Sequence, residues 1–507
     1  MKSVRKNINI ETVLKLAAIA VFISIFLKAI IDIDTNYDTW WYHLPFAARI
    51  WGIVPPDIYL AEDAIEYRYE GFPLLANFVQ GFFWRITGRV QSANLVCFGS
   101  LILYLYFLKA YCRIPLYLSA IALLTIPTVI THVTTSFVDL PGNVAVSILV
   151  MMTYLLYTRR EVPTTKDILI IILAAAAAVN IKPQLQPLTF VILCFTGLRI
   201  LWLNFRRSPN FKSWLVKAIP LGLIASLLIF ATPVKNIVIH GNPFYPIKIQ
   251  VAGIVLNHKL SPATYQEGSR PQKWFNSVFE INTPTWWSTD QWNGGNDKFM
   301  DRGGGFFGNY VIFNLILLLC LFLYQQITNK ENQANLKRAT TTAIIFAIAM
   351  SVIPANFPQS HELRYFMFWM ICLVSFNLYL IAQYEQNFSK LKWLKSKYVG
   401  LVYALFLTIV LTKVGNFYAK PQFFSLQQQI QAGVKPELLQ QIQPGDRVCL
   451  IARAGLVNPK AVPYAAMQHT FLYSAYFHPQ LDYSYSIKAR STASKCENRK
   501  IIPQIET

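Results

Sequence analysis

Asn36-Tyr37-Asp38-Thr39-Trp40-Trp41-Tyr42-His43-Leu44-Pro45 follows directly on the first long apolar run of the chain. It sets a carboxylate, four large aromatics and a histidine where an apolar segment meets water. A charge at that depth is costly to hold and usually functional. Interfacial Trp and Tyr anchor membrane segments whatever the protein does, so the informative residue is the acid among them. His43 to Trp51 reads as a helix lying at the interface.

Working outward, the 507 residues are 54% hydrophobic and only 14% charged, against about 25% charged in soluble domains. Apolar runs at 12–31, 92–110, 114–131, 140–157, 167–181, 184–203, 214–232, 307–326, 338–354, 364–383 and 398–414 predict eleven membrane spans. The expected fold is therefore an all-α polytopic membrane bundle. The net charge of +21 does not point to nucleic acid, because Lys and Arg concentrate in short connections between the runs. That positive-inside pattern places the N-terminus in the cytoplasm, on an uncleaved first span. The connection at 199–217 carries Arg199, Arg206, Arg207, Lys212 and Lys217 and no acid. Residues 32–91, 132–139, 233–306 and 355–363 then face outward, as does the tail from 415. Residues 1–414 are expected to form the transmembrane domain. Residues 415–507 are expected to form a small extracytoplasmic α/β appendage, with Gln443 to Ile451 as a turn into a strand. Cys449 and Cys496 can pair there if the compartment is oxidising.

Phe72 to Ile86 is apolar but short for a span, with Pro73 at its start and Arg85 and Arg89 at its end. Crossing here would turn every later basic connection outward, so the segment is expected to lie on the surface as an interfacial or re-entrant helix. The loop before it is acidic, and a solvated loop accounts for most of those acids. Asp38, enclosed by aromatics, is the exception. Asp139, in Ser136-Phe137-Val138-Asp139-Leu140-Pro141, is the only acid between Glu70 and Glu161. It either caps a helix beginning near Pro141 or faces Asp38 across a cavity. Lys182, between two apolar runs, and Arg364, at the head of another, either snorkel to the surface or meet a phosphate. His240-Gly241-Asn242-Pro243-Phe244-Tyr245-Pro246 marks a shaped loop. The long loop continues with Trp274, Trp286, Trp287 and Trp292, which either line a sugar site or lie on the membrane. No Walker loop, dinucleotide fingerprint, Cys-rich metal motif or Gly-x-Ser-x-Gly elbow appears. The inner connections offer nothing to hold a nucleotide, which favours a donor already embedded in the membrane.

Taken in order, these pieces resemble the GT-C superfamily of membrane glycosyltransferases, which includes protein O-mannosyltransferases, the aminoarabinose transferase acting on lipid A and the Rgt-like class. The resemblance covers roughly residues 10–385. It is carried by Asp38 before an aromatic-rich helix and by Tyr69-Glu70-Gly71-Phe72-Pro73 opening a short helix. Asp139 before Pro141, Lys182, Gly241-Asn242-Pro243-Phe244-Tyr245-Pro246 and Leu363-Arg364-Tyr365 complete it. It implies a polyprenyl-phosphate sugar donor, a lipid or polysaccharide acceptor, an outer-face active site, inverting transfer and a place in the bacterial plasma membrane. Two positions depart. Thr39 follows Asp38 where some relatives carry an acidic pair, and Gly71 follows Glu70 where the aminoarabinose transferase has a lysine. The phosphate contact then falls to Arg68, Lys182 or Arg364.

The site expected on these grounds has Asp38 as catalytic base, with Asp139 and Glu70 as orienting or metal-binding acids. Lys182 and Arg364 meet the phosphate, and Trp41, His43, Arg68, Tyr245 and His361 complete the lining. A divalent metal would draw its ligands from Glu70, His240, His258 or His361, and no metal site is assigned. A transporter or flippase would instead place charges in mid-span and show an internal repeat. A non-catalytic scaffold would keep the same residues for folding alone.

Overall fold

The computed structural model describes residues 9–55, 63–159, 161–207, 210–251, 253–261, 269–281, 305–327, 334–388, 392–415, 418–452, 470–489, 496 and 498–503. Trp286, Trp287 and Trp292 of the long loop lie outside the described residues, as does Arg160. Helix α1 (Ile10–Ile31) opens on Asn9, whose side chain accepts from Glu11 N, and stops at Asp32. A wide π-helical turn over Thr39–His43 then runs straight into α2 (Leu44–Ile50). The first loop ends with α3 (Asp63–Gly71) and α4 (Leu75–Thr87).

The bundle continues with α5 (Leu95–Cys112), α6 (Leu116–Leu124), α7 (Pro127–His132), α8 (Asp139–Thr158), α9 (Thr165–Ile181), α10 (Leu185–Arg207), α11 (Phe211–Ile229) and α12 (Ala231–His240). The long loop holds a small antiparallel ribbon, β1 (Gln250–Val251) with β2 (Ile254–Val255), and α13 (Arg270–Phe279). The remaining bundle helices are α14 (Gly308–Ile327), α15 (Ala334–Asn356), α16 (Phe368–Tyr384) and α17 (Ser396–Val410).

Among the described residues, eight helices are long and apolar enough to cross a membrane, and each coincides with one of the expected spans. The other three are shorter. The run at 114–131 is broken into α6 and α7 because Pro127 cannot extend the helix before it. Helices α9 and α16 have 17 residues each, about 26 Å of rise against a hydrocarbon core of about 30 Å. Helix α8 is buried along almost its whole length and α16 along most of its own, so these two are the centre of the bundle. Helix α11 is the opposite. Leu221, Leu223, Ile224, Leu227 and Leu228 all stand exposed, a surface that only lipid suits.

Helix α4 has 13 residues, about 20 Å of rise against a hydrocarbon core of about 30 Å. It buries Asn77, Gln80, Gly81 and Trp84 and exposes Leu75, Phe78, Phe82 and Ile86. Polar groups inside and apolar groups outside are what a helix lying in the interface requires. Gly81 permits its close crossing with α2. A Cβ there would sit 2.3 Å from Trp51 Cδ1 and 2.5 Å from Ala47 O.

In the tail, Gly445 (φ +84°) turns the chain into β3 (Arg447–Ala452). β3 lies between β4 (Ser484–Ala489) and β5 (Lys500–Pro503) in a parallel sheet, Cys449 opposite Ser486 and Ile501. Cys449 and Cys496 form a disulfide. The tail packs into one core with the first loop, where Trp40 and Trp84 meet Phe471 and Phe477 at ring separations of 6.0–6.4 Å.

Candidate active site

The site is assembled where the first loop, the N-terminus of α8, the α9–α10 junction and the approach to α16 meet. The first loop is held in register by a residue the sequence reading passed over. Asp34 Oδ1 accepts from Asn36 N at 3.0 Å and Oδ2 accepts from Ser136 N at 2.8 Å, tying the first loop to the second. Thr39 Oγ1 donates to the same Oδ2 at 2.5 Å and closes the turn that carries Asp38. Burial pushes the Asp34 carboxyl up, and the hydrogen bonds from Thr39, Ser136 and Asn36 oppose it. Such an acid is found from its partners, and Ser136, the one that ties it to another loop, is 102 residues away.

Asp38 opens the π-helical turn. Its Oδ2 receives Arg364 Nη1 at 3.0 Å. Single π-helical turns recur at functional sites because they re-aim side chains within a helix. Arg364 stands in a 3₁₀ turn over Leu363–Phe366, just before α16. Asn143 of α8 fixes that turn, donating to Arg364 O at 3.1 Å and accepting from Phe368 N at 3.0 Å. Asp139, in the first turn of α8, is ion-paired to Lys182, and both are buried. The helix N-terminus adds its own favourable field to the carboxylate.

Between the two ion pairs lies Tyr365. Lys182 Nζ is 4.0 Å from its ring centroid and Arg364 Cζ is 5.0 Å, while Arg364 Nη2 donates to its hydroxyl at 3.2 Å. One aromatic face therefore joins both cations. Glu362 lies 3.7 Å from Arg364 Nε and 3.6 Å from His361 Nε2, which places His361 next to the site. Burial holds the His361 imidazole down to about 4, with Lys273 adding to the effect. Tyr365 and Glu362 flank a residue singled out from sequence, but their type alone gives no signal.

His43 is buried beneath Asp38. Its Nδ1 lies 3.2 Å from Asn77 Nδ2 of α4, and its ring is 4.2 Å from that of Tyr42. Burial pushes the imidazole down to about 4, against the pull of Asp38 and Asp139. Burial and then Asp38 hold the Tyr42 hydroxyl well above its ordinary value. Trp41 packs against Tyr37 and Tyr42, and Arg68 lies over its ring at 5.1 Å. The Arg68 Nη1 atom is buried without a hydrogen-bond partner among the described residues.

Glu70 and Tyr245 are placed elsewhere. The Glu70 side chain is exposed, and its backbone carbonyl accepts from Lys235 Nζ at 2.6 Å. Tyr245 is buried, stacked on His240 at 3.7 Å, and its carbonyl accepts from Asn236 at 3.2 Å, as does that of Gly71 at 2.7 Å. Gly71 is required here because a Cβ would lie 2.3 Å from Tyr245 O. The shaped loop thus anchors α3. Among the described residues no group of three or more His, Cys, Asp and Glu could hold a metal ion, so Glu70, His240, His258 and His361 form no shared site.

Beside the first loop lies a cavity of about 390 Å³, lined by Lys28, Asp32, Asp34, Asn36, Thr135 and Phe424 among others. Asp32 Oδ2 takes Lys28 Nζ at 2.9 Å and Gln422 N at 2.7 Å, fastening the tail to α1.

No family model matches this chain, and no curated protein sequence is similar to it. Among solved structures, ArnT from Cupriavidus metallidurans bound to undecaprenyl phosphate is similar over 96% of this chain and 90% of its own, at 11% identity and a TM-score of 0.50. The apo state of that protein aligns over the same shares at 12% identity with a TM-score of 0.35. This mainly helical chain, with eight helices long and apolar enough to cross a membrane among the described residues, has the fold of that structure.

Proposed function

We propose that the protein is a membrane glycosyltransferase that moves a sugar from a polyprenyl-phosphate donor to a lipid or polysaccharide acceptor, with inversion. The observation that carries this reading is the pairing of two acids with two cations around Tyr365 at one end of an ArnT-like bundle. The ArnT structure holds undecaprenyl phosphate, which supports the same class of donor here. The topology that goes with it has eleven spans, the N-terminus in the cytoplasm and the site and tail outside, in a bacterial plasma membrane. Residues 1–414 form the catalytic domain and 415–507 a domain resting on it.

Free of substrate, Asp38 is engaged by Arg364. A donor phosphate competes for that guanidinium, which binds phosphate oxygens in a fork. Its arrival leaves Asp38 as a carboxylate beside the sugar. Asp38 then takes the proton from the acceptor hydroxyl as that oxygen attacks the anomeric carbon. The bond from that carbon to the phosphate oxygen breaks, and the electron pair leaves with the polyprenyl phosphate. Arg364 and Lys182 stabilise the negative charge that develops there, in a site largely closed to water. Asp139 holds Lys182 in place, and the Trp41 and Tyr42 rings flank the sugar. A general base of this kind contributes about 10²–10⁴-fold.

The test is reconstitution in vesicles with polyprenyl-phosphate sugars and, separately, nucleotide sugars, following release of polyprenyl phosphate. Turnover with the lipid-linked donors alone is expected. Direct turnover of a nucleotide sugar without lipid carrier would overturn the reading.

A further inference from the structure

The far end of the bundle carries a second, differently built site. Helix α8 begins at Asp139, so Tyr157 lies about 27 Å along it from the ion pairs described above. There a cavity of about 540 Å³ is lined by Tyr157, by Arg199, Trp202, Arg206 and Arg207 of α10, and by Arg338 of α15. Among the described residues no carboxylate lines it. Among the described residues none forms an ion pair with Arg199, Arg206 or Arg207.

Arg199 is fixed in place. Its Nε donates to Leu156 O at 3.0 Å and its Nη2 to Arg159 O at 3.2 Å, which satisfies the last carbonyls of α8. Its guanidinium lies 5.1 Å from the Tyr157 ring and 4.5 Å from the Trp202 ring. Arg206 also lies over Trp202, at 5.8 Å. The like charges of Arg199, Arg206 and Arg207, held beside one space, repel one another, and an anion within it relieves the repulsion. The wall below has its own signature. Leu198, Leu201, Trp202 and Phe205 are exposed and recur at the spacing of one helix face. An apolar stripe leading to a crown of arginines matches a molecule with an anionic head and hydrocarbon tails. Basic pockets between helices at the membrane surface take phosphate headgroups in this way.

We infer that this cavity binds the phosphate headgroup of an anionic phospholipid, its acyl chains lying along Leu198, Leu201 and Phe205. The shared chemistry is a phosphate gripped by guanidinium forks, and the site does not depend on the transferase reading. The experiment measures cardiolipin retained by the full-length protein after purification from phosphatidylcholine vesicles containing a minor fraction of cardiolipin. Wild type is expected to enrich cardiolipin over phosphatidylcholine. Arg206→Gln/Arg207→Gln/Arg338→Gln is expected to lower that enrichment at least about tenfold. Lys109→Gln/Lys212→Gln/Lys217→Gln removes equal charge outside the cavity and is expected to change it little. Arg206 and Arg207 are exposed, so Arg206→Gln/Arg207→Gln gives a second variant whose fold does not depend on them. Its enrichment is expected to fall in the same direction. A third arm adds inorganic phosphate during purification. Cardiolipin that stays bound supports a lipid site, whereas its displacement by millimolar phosphate assigns the cavity to a soluble anion and overturns the inference. No enrichment by wild type, or equal loss in the arginine and lysine variants, also overturns it.

Discussion

Arg364 Nη1 lies 3.0 Å from Asp38 Oδ2, joining residues 326 positions apart in the chain, and about a fifth of each side chain remains exposed. The pair is reachable, and its cation sits on the same tyrosine ring as Lys182. Replacing Arg364 with lysine keeps the charge but loses the planar fork that grips two phosphate oxygens. The donor KM of Arg364→Lys is expected to rise at least about tenfold, the cost of one charge-assisted hydrogen bond. Steady-state kinetics over a donor titration read this directly, and an unchanged KM would separate Arg364 from the phosphate.

The Asp139–Lys182 pair makes a different prediction because both members are buried. Removing either alone strands a charge and is expected to cost about 3–5 kcal/mol. Asp139→Ala and Lys182→Ala should each lower the unfolding midpoint in detergent. The double variant should lose clearly less than the sum, since contacting residues are not additive. Strict additivity would mean that the two groups do not act as a pair.

His43 gives the pH dependence. Its folded value of about 4 lies below the ordinary 6.5, so the unfolded chain binds the extra proton between these limits. Stability from this group is complete above pH 6.5 and is lost as pH falls toward 4, about 3 kcal/mol in all. Denaturation of wild type and His43→Asn from pH 7.5 to 4 should show a shallower decline in the variant. Parallel curves would contradict the burial argument.

Gly81→Ala places a methyl group against the backbone of Ala47 and the ring of Trp51. Overpacking of this kind costs about 1–3 kcal/mol. It also separates α4 from α2, and α4 carries Asn77 against His43. Melting temperature and turnover are expected to fall together. Wild-type values for both would show that the α2–α4 crossing has slack.

The spans were legible because hydrocarbon length and basic connections leave a one-dimensional imprint. Eight expected runs coincide with long apolar helices, and the surface helix at 75–87 follows from its shortness and flanking arginines. Asp38, Asp139, Lys182 and Arg364 were legible for a related reason: each interrupts an apolar context at a segment end. Proximity was not legible. Glu70 shares the acidic loop with Asp38 but is exposed next to Lys235, because α3 turns its end toward the Tyr245 loop. Tyr365 and Glu362 acquire meaning only from neighbours contributed by other helices. Asp34 looked like one acid among many, and its partner Ser136 is 102 residues away.

The central claim is that Asp38 takes the acceptor's proton. The most direct measurement is the single-turnover transfer rate of Asp38→Asn in vesicles loaded with polyprenyl-phosphate sugar, in protein whose melting curve matches wild type. The account predicts a loss of about 10²–10⁴-fold with donor binding retained. A rate near that of wild type would contradict it.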